Sequence, residues 1–182
     1  MQAQPATPME FLRFSAPDPD ALAIGIEETR AKFAAARLAG DMLATVEHAA
    51  DLGSMLTTAR RESEALELMQ TLLAEAEAQA AHEPAGWFFN AYATALQYCD
   101  RRDEANGVFA NALALCRRNG WARLQSFVLQ HWGRGLVEQQ RFDEAQACFM
   151  EALDLRIQLN DPRQASTRRA LEALAELRAR RA

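Results

Sequence analysis

The chain repeats itself at a spacing of forty residues, and this period restricts its possible folds more than any other feature. The segments 60–73, 100–113 and 140–153 fall into register without a gap. Their shared columns are an arginine (Arg61, Arg101, Arg141), a glutamate (Glu64, Glu104, Glu144), an alanine (Ala65, Ala105, Ala145), a large apolar residue (Met69, Phe109, Phe149) and a leucine (Leu73, Leu113, Leu153). Repeats of this length form arrays in which each unit packs on its neighbours. The sequence therefore predicts an array of similar units.

The repeated columns indicate that each unit consists of two helices. The alanine, the large apolar residue and the leucine are separated by four positions each, which places them on one face of an amphipathic helix. An earlier column holds small residues that let a second helix approach closely: Gly53, Ala93 and Gly133. Short polar residues just before the helical runs are predicted to cap them: Ser63, Asp103 and Asp143. Each unit is thus predicted to be two antiparallel helices joined by a tight turn at the column arginine.

Glycine and proline mark the predicted ends of the helices. Glu83-Pro84 and Asp161-Pro162 indicate helix starts, whereas Gly40 and Asn119-Gly120 indicate helix ends. The helix pairs are then 42–59 with 63–80, 84–99 with 103–118, and 122–139 with 143–159, within units 42–81, 82–121 and 122–161. The predicted class is all-α.

Two further helices and an N-terminal segment complete the prediction. Residues 18–40, whose helix begins with Asp18-Pro19 and stops at Gly40, form a degenerate half-unit, and 162–180 form a capping helix with one wet face. Residues 1–17 contain three prolines and are expected to be a flexible segment in which Phe11, Leu12 and Phe14 tuck against the first helix. The alternative is that this segment lies in a groove of the array.

Composition excludes several classes of protein. With 8 glycines and 6 prolines, the chain has few signals for strands and turns. No apolar stretch is long enough to span a membrane, and the N-terminus does not resemble a secretory signal. Three dispersed cysteines, Cys99, Cys116 and Cys148, do not form a disulfide framework. The expectation is a reduced, cytoplasmic protein with no membrane association.

The units resemble tetratricopeptide repeats, whose pattern W-x2-L-G-x2-Y…A-x3-F…A is partly preserved. The third unit carries Trp132, Gly133, Leu136, Ala145, Phe149 and Ala152; the second carries Tyr92, Ala93, Leu96, Ala105, Phe109 and Ala112. The first carries Leu52, Gly53, Leu56, Ala65, Met69 and Leu72. The period is forty rather than thirty-four, and the terminal proline of the pattern is missing. This longer form is similar to the kinesin-light-chain-like and bacterial-regulator versions of the repeat.

The resemblance implies a right-handed superhelical solenoid that binds a protein or peptide segment in its concave groove. In the family, the first helices of the units line this groove. The implied partner-binding residues are Trp87, Asn90, Thr94, Gln97, Tyr98, Phe127, Gln130, Arg134 and Glu138. The alternative for Trp87 and Phe127 is packing between helices. The first unit supplies only small or acidic groups (Glu47, Ala50, Ser54, Thr57, Thr58) and is expected to contribute less.

The sequence predicts no catalytic residues, no metal site and no cofactor. His48, His82 and His131 are dispersed, and no phosphate-binding or nucleophile motif is present. The predicted function is protein binding by a scaffold or adaptor that is a monomer or a weak homo-oligomer. A narrower alternative is a chaperone or regulatory adaptor for a secreted or signalling partner.

Charge leaves two further alternatives open. The net charge is −8 over residues 1–91 and +3 over residues 92–182, which could guide an acidic partner to the C-terminal half. The C-terminal helix is also rich in arginine (Arg163, Arg168, Arg169, Arg178, Arg180, Arg181), as in helical repeats that bind single-stranded RNA. The acidic balance of the whole chain argues against nucleic acid.

Overall fold

Nine α-helices and no β-strand make up residues 10–180, the part of the chain that the computed structural model describes. They are α1 (Pro19–Ala39), α2 (Met42–Thr58), α3 (Glu62–Gln70), α4 (Leu73–Ala78), α5 (Glu83–Tyr98), α6 (Arg102–Asn119), α7 (Ala122–Glu138), α8 (Phe142–Gln158) and α9 (Gln164–Ala179). The predicted all-α class is confirmed. In this described part, no helix combines the length and apolarity needed to cross a bilayer.

One predicted helix start and two predicted helix ends lie at the capping and glycine residues that the sequence indicates. The carboxylate of Asp18 accepts a hydrogen bond from the Ala21 N–H at 3.0 Å, so α1 begins at Pro19. Gly40 (φ 71°) and Gly120 (φ 72°) adopt the left-handed conformation that terminates α1 and α6. Glycine takes this conformation without the steric cost of a side chain. These predicted ends are confirmed.

The predicted tight turn recurs between α2 and α3, between α5 and α6, and between α7 and α8. The N–H of the column arginine donates to a leucine carbonyl five residues earlier: Arg61 to Leu56 at 2.8 Å, Arg101 to Leu96 at 2.9 Å and Arg141 to Leu136 at 2.9 Å. The residue before each arginine has a positive φ: Arg60 63°, Asp100 59° and Gln140 62°. The turn at the column arginine is confirmed.

The predicted caps are wrong. Helices α3, α6 and α8 begin one residue earlier than expected, so Ser63, Asp103 and Asp143 lie inside the first turn, and no side chain caps these helices. Instead, the column arginine and the column glutamate pair across the first turn, each at 2.6 Å. The glutamate therefore lies near the positive end of the helix dipole and also holds the turn residue.

Two larger differences from the predicted helices concern the helix 63–80 and the last helix. The expected helix 63–80 is divided into α3 and α4, because Thr71 N and Leu72 N donate to carbonyls three residues earlier rather than four. The Thr71 hydroxyl also donates to the Leu68 carbonyl at 2.8 Å, which stabilises the interruption. The last helix begins at Gln164 after a turn, because the Asp161 carboxylate accepts from Arg163 N at 2.8 Å.

The first helices of the three repeated segments, α2, α5 and α7, are neighbours, since α5 packs against both α2 and α7. The small-residue column permits close packing within each pair. A Cβ atom at Gly133 would lie 2.6 Å from the ring of Phe149, and one at Gly53 would collide with Met69. The predicted close approach at this column is confirmed. This packing leaves the opposite faces of α2, α5 and α7 to line a cavity.

Candidate functional site

A cavity of about 430 Å³ opens along α2, α5 and α7. The N-terminal segment, the end of α8 and the start of α9 complete its walls. Of the sequence-predicted binding residues, those that line it are Thr94, Gln97, Tyr98, Phe127, Gln130 and Arg134. Ser54, Thr57 and Thr58 of α2 also contribute. The first-helix positions thus converge on one cavity.

Three of the predicted residues do not line this cavity. Trp87 packs edge-on against Phe127, with ring centroids 4.9 Å apart, as the packing alternative states. Asn90 is buried within α5, at 3% exposure. The Glu138 carboxylate is engaged inside the chain, because it accepts from the Phe11 N–H at 2.9 Å and from Gln97 Nε2 at 3.3 Å.

The N-terminal segment, residues 10–17, lies across one end of the cavity rather than against α1. Phe11 is buried in an apolar cluster with Leu136 and Phe149. The Arg13 guanidinium lies 3.7 Å from the centroid of the Tyr98 ring. In the described residues, these contacts place this segment beside the cavity, as the groove alternative states. Residues 1–9 are outside the described residues.

We call the region around Arg13 and Tyr98, where residues 10–17 lie, the tail end of the cavity. The positive charge of Arg13 is fully compensated there. Arg13 pairs with Glu10 at 2.7 Å and with Glu62 at 3.3 Å, and it donates to the Thr57 carbonyl at 2.9 Å. These carboxylates raise the pKa of Arg13 against the opposing effect of burial. Burial, aided by Glu138, raises the pKa of Tyr98 to about 12, so its hydroxyl stays protonated. Every charge supplied by the segment finds a partner here.

The opposite region, which we call the arginine end, contains Phe127, Gln130, His131, Arg134, Arg156 and Arg163. Arg156 reaches it from α8 and is 2% exposed. Its guanidinium donates to Thr167 Oγ1 at 2.5 Å, to Gln130 Oε1 at 3.1 Å and to the Arg163 carbonyl at 3.3 Å. All of these acceptors are neutral. The guanidinium carbons of Arg156 and Arg163 lie 5.4 Å and 5.0 Å from the centroid of the Phe127 ring.

Burial lowers the pKa values of the basic groups at the arginine end, and for two of them neighbouring positive charges add to the shift. Burial lowers the pKa of Arg156 to about 10; Asp161 opposes the shift, while Arg134 and Arg163 add to it. Burial also lowers the pKa of Arg134. Burial and the nearby Arg134 and Arg156 lower the pKa of His131 to about 3, so this imidazole is neutral at physiological pH. The arginine end therefore disfavours further positive charge.

The cavity is cationic although the whole chain has a net charge of −5. No aspartate or glutamate is among the described residues that line it, whereas four arginines are. Arg13 has its carboxylates, and Arg163 lies 3.5 Å from Asp161. Within residues 10–180, neither Arg134 nor Arg156 forms an ion pair.

Sequence reasoning missed Arg13, His131, Arg156 and Arg163 as cavity residues. A signal for one of them exists in the repeat itself. At the forty-residue spacing, Arg156 occupies the column of Ala76 and Cys116, both of which are fully buried. An arginine in a buried column predicts either a buried polar network or a binding site. His131 lies on α7 in the column of Ala91, which also lines the cavity, whereas Arg13 and Arg163 reach it through tertiary contacts that the repeat does not encode.

The remaining candidate groups are dispersed or engaged elsewhere. Among the described residues, no cluster of three or more His, Cys, Asp or Glu side chains is placed to hold a metal ion. The three cysteines are free, and burial raises the pKa of Cys116 to about 12 and of Cys148 to about 11.

Arg178 pairs with Asp143 at 2.6 Å, while Arg163 faces the cavity, so the arginines in and just before α9 do not form one surface. Arg181 lies outside the described part of the chain.

A second, more open cleft lies between α4, α5 and α6 and is about 670 Å³ in volume. Its walls include Leu73, Phe89, Tyr92, Val108 and Leu115, with Glu77 and Arg118 among its charged residues. This cleft carries one charge of each sign, so it has no electrostatic preference comparable to that of the cavity.

Comparisons with known proteins support the fold. No family profile matches the chain, and no curated protein sequence matches it. Among solved structures, the chain is similar to BtubC (BKLC) from P. vanneervenii, with a TM-score of 0.69 and 19% sequence identity. The match covers 87% of this chain and 67% of BtubC. At this identity, the likeness shows a shared helical fold.

Proposed function

We propose that this chain is a protein-interaction module, a scaffold or adaptor that binds an extended peptide segment in the cavity along α2, α5 and α7. Its helix pairs are tetratricopeptide-type repeats, and the cavity is the concave groove of a right-handed superhelical solenoid. The forty-residue repeat and the recurring turn support this assignment. The proposal includes a cytoplasmic location and requires no cofactor.

The observation that carries the proposal is the N-terminal segment itself. Its backbone N–H at Phe11 donates to the Glu138 side chain, its Phe11 ring is buried, and its Arg13 stacks on Tyr98. Hydrogen bonds to the main chain combined with side-chain anchors are the ordinary means by which a protein recognises an extended peptide. Glu138 and the Phe11 cluster lie beside the cavity, whereas Tyr98 and Thr57, which hold Arg13, line it. The groove side of these helices therefore has the chemistry to hold a polypeptide.

A display selection of random peptides against the full chain tests the proposal. Ser54 lines the cavity and is exposed, so Ser54→Trp should fill the cavity without disturbing the core. We expect selected peptides to bind the parent and to lose at least ~tenfold in affinity for Ser54→Trp, measured by isothermal titration calorimetry.

The matched control is Ala110→Trp, an exposed position on α6 that does not line the cavity. It should leave the affinity unchanged. Peptides that bind the parent and Ser54→Trp equally would contradict the proposal and direct attention to the cleft between α4 and α6.

A further inference from the structure

We propose that the arginine end of the cavity is an anion-binding subsite that takes a peptide segment carrying two acidic side chains, one opposite Arg134 and one opposite Arg156. The inference rests on the proposed function and names the chemistry of its partner. Three observations carry it: the buried guanidinium, the kind of polar atom left unpaired, and the balance of charge.

The buried guanidinium of Arg156 is the first observation. A fully buried charge is costly unless an opposite charge compensates it. Arg156 is 2% exposed and has only hydroxyl, amide and carbonyl partners among the described residues. These neutral acceptors position the guanidinium at the wall of the cavity without neutralising it. A carboxylate from outside would supply the missing charge.

The unpaired polar atoms differ in kind between the two ends. At the arginine end, the buried atoms without a partner in residues 10–180 are donors, Gln130 Nε2 and Arg134 Nε. At the tail end they include the amide oxygen Gln97 Oε1, which can only accept, and the Thr57 hydroxyl, which can accept or donate. An arginine end with spare donors requires an acceptor, as a carboxylate provides.

The orientation of the Gln130 amide is determined by its neighbours. Gln130 Oε1 accepts from Arg156 Nη1 at 3.1 Å and from the Thr167 hydroxyl at 2.9 Å. Because a guanidinium can only donate, the amide oxygen must face Arg156, and Nε2 must face away from it. The spare donor at Gln130 is therefore a consequence of the buried arginine.

The balance of charge indicates two carboxylates rather than one. Asp161 lies 3.5 Å from Arg163, which accounts for one of the three arginines. Glu138 is held by Phe11 N and Gln97 Nε2; it counteracts the lowering of the pKa of Arg134 by burial but makes no ion pair with it. Arg134 and Arg156 remain without an ion-pair partner among the described residues. An acidic segment matches this charge, while the negative net charge of the chain would disfavour a polyanion such as RNA elsewhere on its surface.

The test uses the peptides selected against the parent chain. We expect them to be enriched in Asp and Glu, and we expect replacement of two Glu by Gln in one such peptide to lower its affinity at least ~tenfold. This comparison needs no protein variant, so it does not depend on the folding of a mutant. A selected peptide that occupies the cavity, as judged by Ser54→Trp, but tolerates the Gln replacements would overturn the acidic assignment while leaving the proposed function intact.

A matched pair of protein variants locates the effect. Arg134→Gln removes one of the two unpaired charges and should weaken the Glu peptide at least ~tenfold, with little further loss for the Gln peptide. Arg168→Gln removes the same charge from an exposed position of α9 and should have no such effect. Equal losses in both variants would move the subsite to α9. Recovery of no cavity-dependent peptide would refute the proposed function and, with it, this subsite.

Discussion

The two ends of the cavity both contain arginines, but the arginines differ in their partners: Arg13 at the tail end pairs with carboxylates, whereas, in the described part of the chain, Arg134 and Arg156 at the arginine end do not. At the tail end, Arg13 comes with its own carboxylate from Glu10 and meets Glu62 and the Tyr98 ring. At the arginine end, Arg134 and Arg156 have no carboxylate partner within residues 10–180. The N-terminal segment brings the carboxylate of Glu10 to the tail end and so helps to balance the charge of Arg13. Among the described residues, the arginine end has no such segment, so its positive charge is left for a bound partner to balance.

The largest effect is expected when the arginine end loses its buried guanidinium. Arg156→Ala should lower the free energy of unfolding by about 3 kcal/mol, because Gln130 Oε1 and Thr167 lose their partner and a void remains. Urea denaturation measures the change. Arg163→Ala is the control, since its half-exposed side chain should contribute less than ~1 kcal/mol. Equal losses in the free energy of unfolding for Arg156→Ala and Arg163→Ala would show that the hydrogen bonds of Arg156 do not stabilise the arginine end.

A smaller effect is expected at the tail end. Phe11→Ala should weaken the attachment of the N-terminal segment by about 2 kcal/mol, because its buried ring leaves the cluster around Phe149. The segment can detach while the helices stay folded, so the change should appear as roughly thirtyfold faster hydrogen exchange at the residue 11 amide. Leu12→Ala, at a neighbouring exposed position, should leave the exchange unchanged. Unaltered exchange in Phe11→Ala would mean that the segment is held by its polar contacts alone.

The neutral His131 should make the stability of the arginine end depend on pH. Its pKa is about 3 in the folded chain, below the ordinary value of 6.5. Between these values the unfolded chain binds a proton that the folded chain does not, so stability falls as pH falls. From pH 7 to pH 5 the loss attributable to His131 should be about 1 to 2 kcal/mol. Urea denaturation at pH 7 and pH 5 gives this loss for the parent and for His131→Gln. The difference between the two proteins belongs to His131, because all other titrating groups are the same in both.

The exposed His82 provides the matched control for this pH dependence. His82→Gln should retain the pH dependence of the parent. A bound acidic peptide should raise the pKa of His131, because it reduces the repulsion from Arg134 and Arg156. An imidazole of His131 that titrates near 6.5 in the free chain, followed by NMR, would contradict the crowded arginine end.

The smallest effect is expected from the surface pair that borders the tail end. Arg60 and Glu10 are 2.7 Å apart, but both side chains are nearly half exposed. Arg60→Ala should therefore change the exchange of the residue 11 amide by less than about 0.5 kcal/mol. A loss as large as that of Phe11→Ala would show that the segment is held by surface charge, and it would weaken the contrast between the two ends.

Local signals account for the parts of the fold that could be predicted. The forty-residue columns predicted the helix pairs, and Asp18, Gly40 and Gly120 predicted helix ends, because capping and left-handed glycine act within a few residues. The caps at Ser63, Asp103 and Asp143 were predicted wrongly, because the turn at the column arginine starts the helix one residue earlier. The break at Thr71 was missed, because a threonine hydroxyl that competes for a backbone carbonyl leaves no pattern in the repeat.

The sequence by itself determined the all-α class and the helix pairs, since these follow from spacing along the chain. The resemblance to tetratricopeptide repeats implied six of the first-helix residues that line the cavity. Only the tertiary structure decided that Phe11 bonds to Glu138, 127 residues away, and that Arg156 bonds to Gln130 and Thr167. Contacts of this kind depend on where whole helices come to rest, and no periodicity encodes them. The charge of the cavity arises in the same way, because arginines from α7, α8 and the turn before α9 meet in space, and among the described residues only Arg163 of these three forms an ion pair.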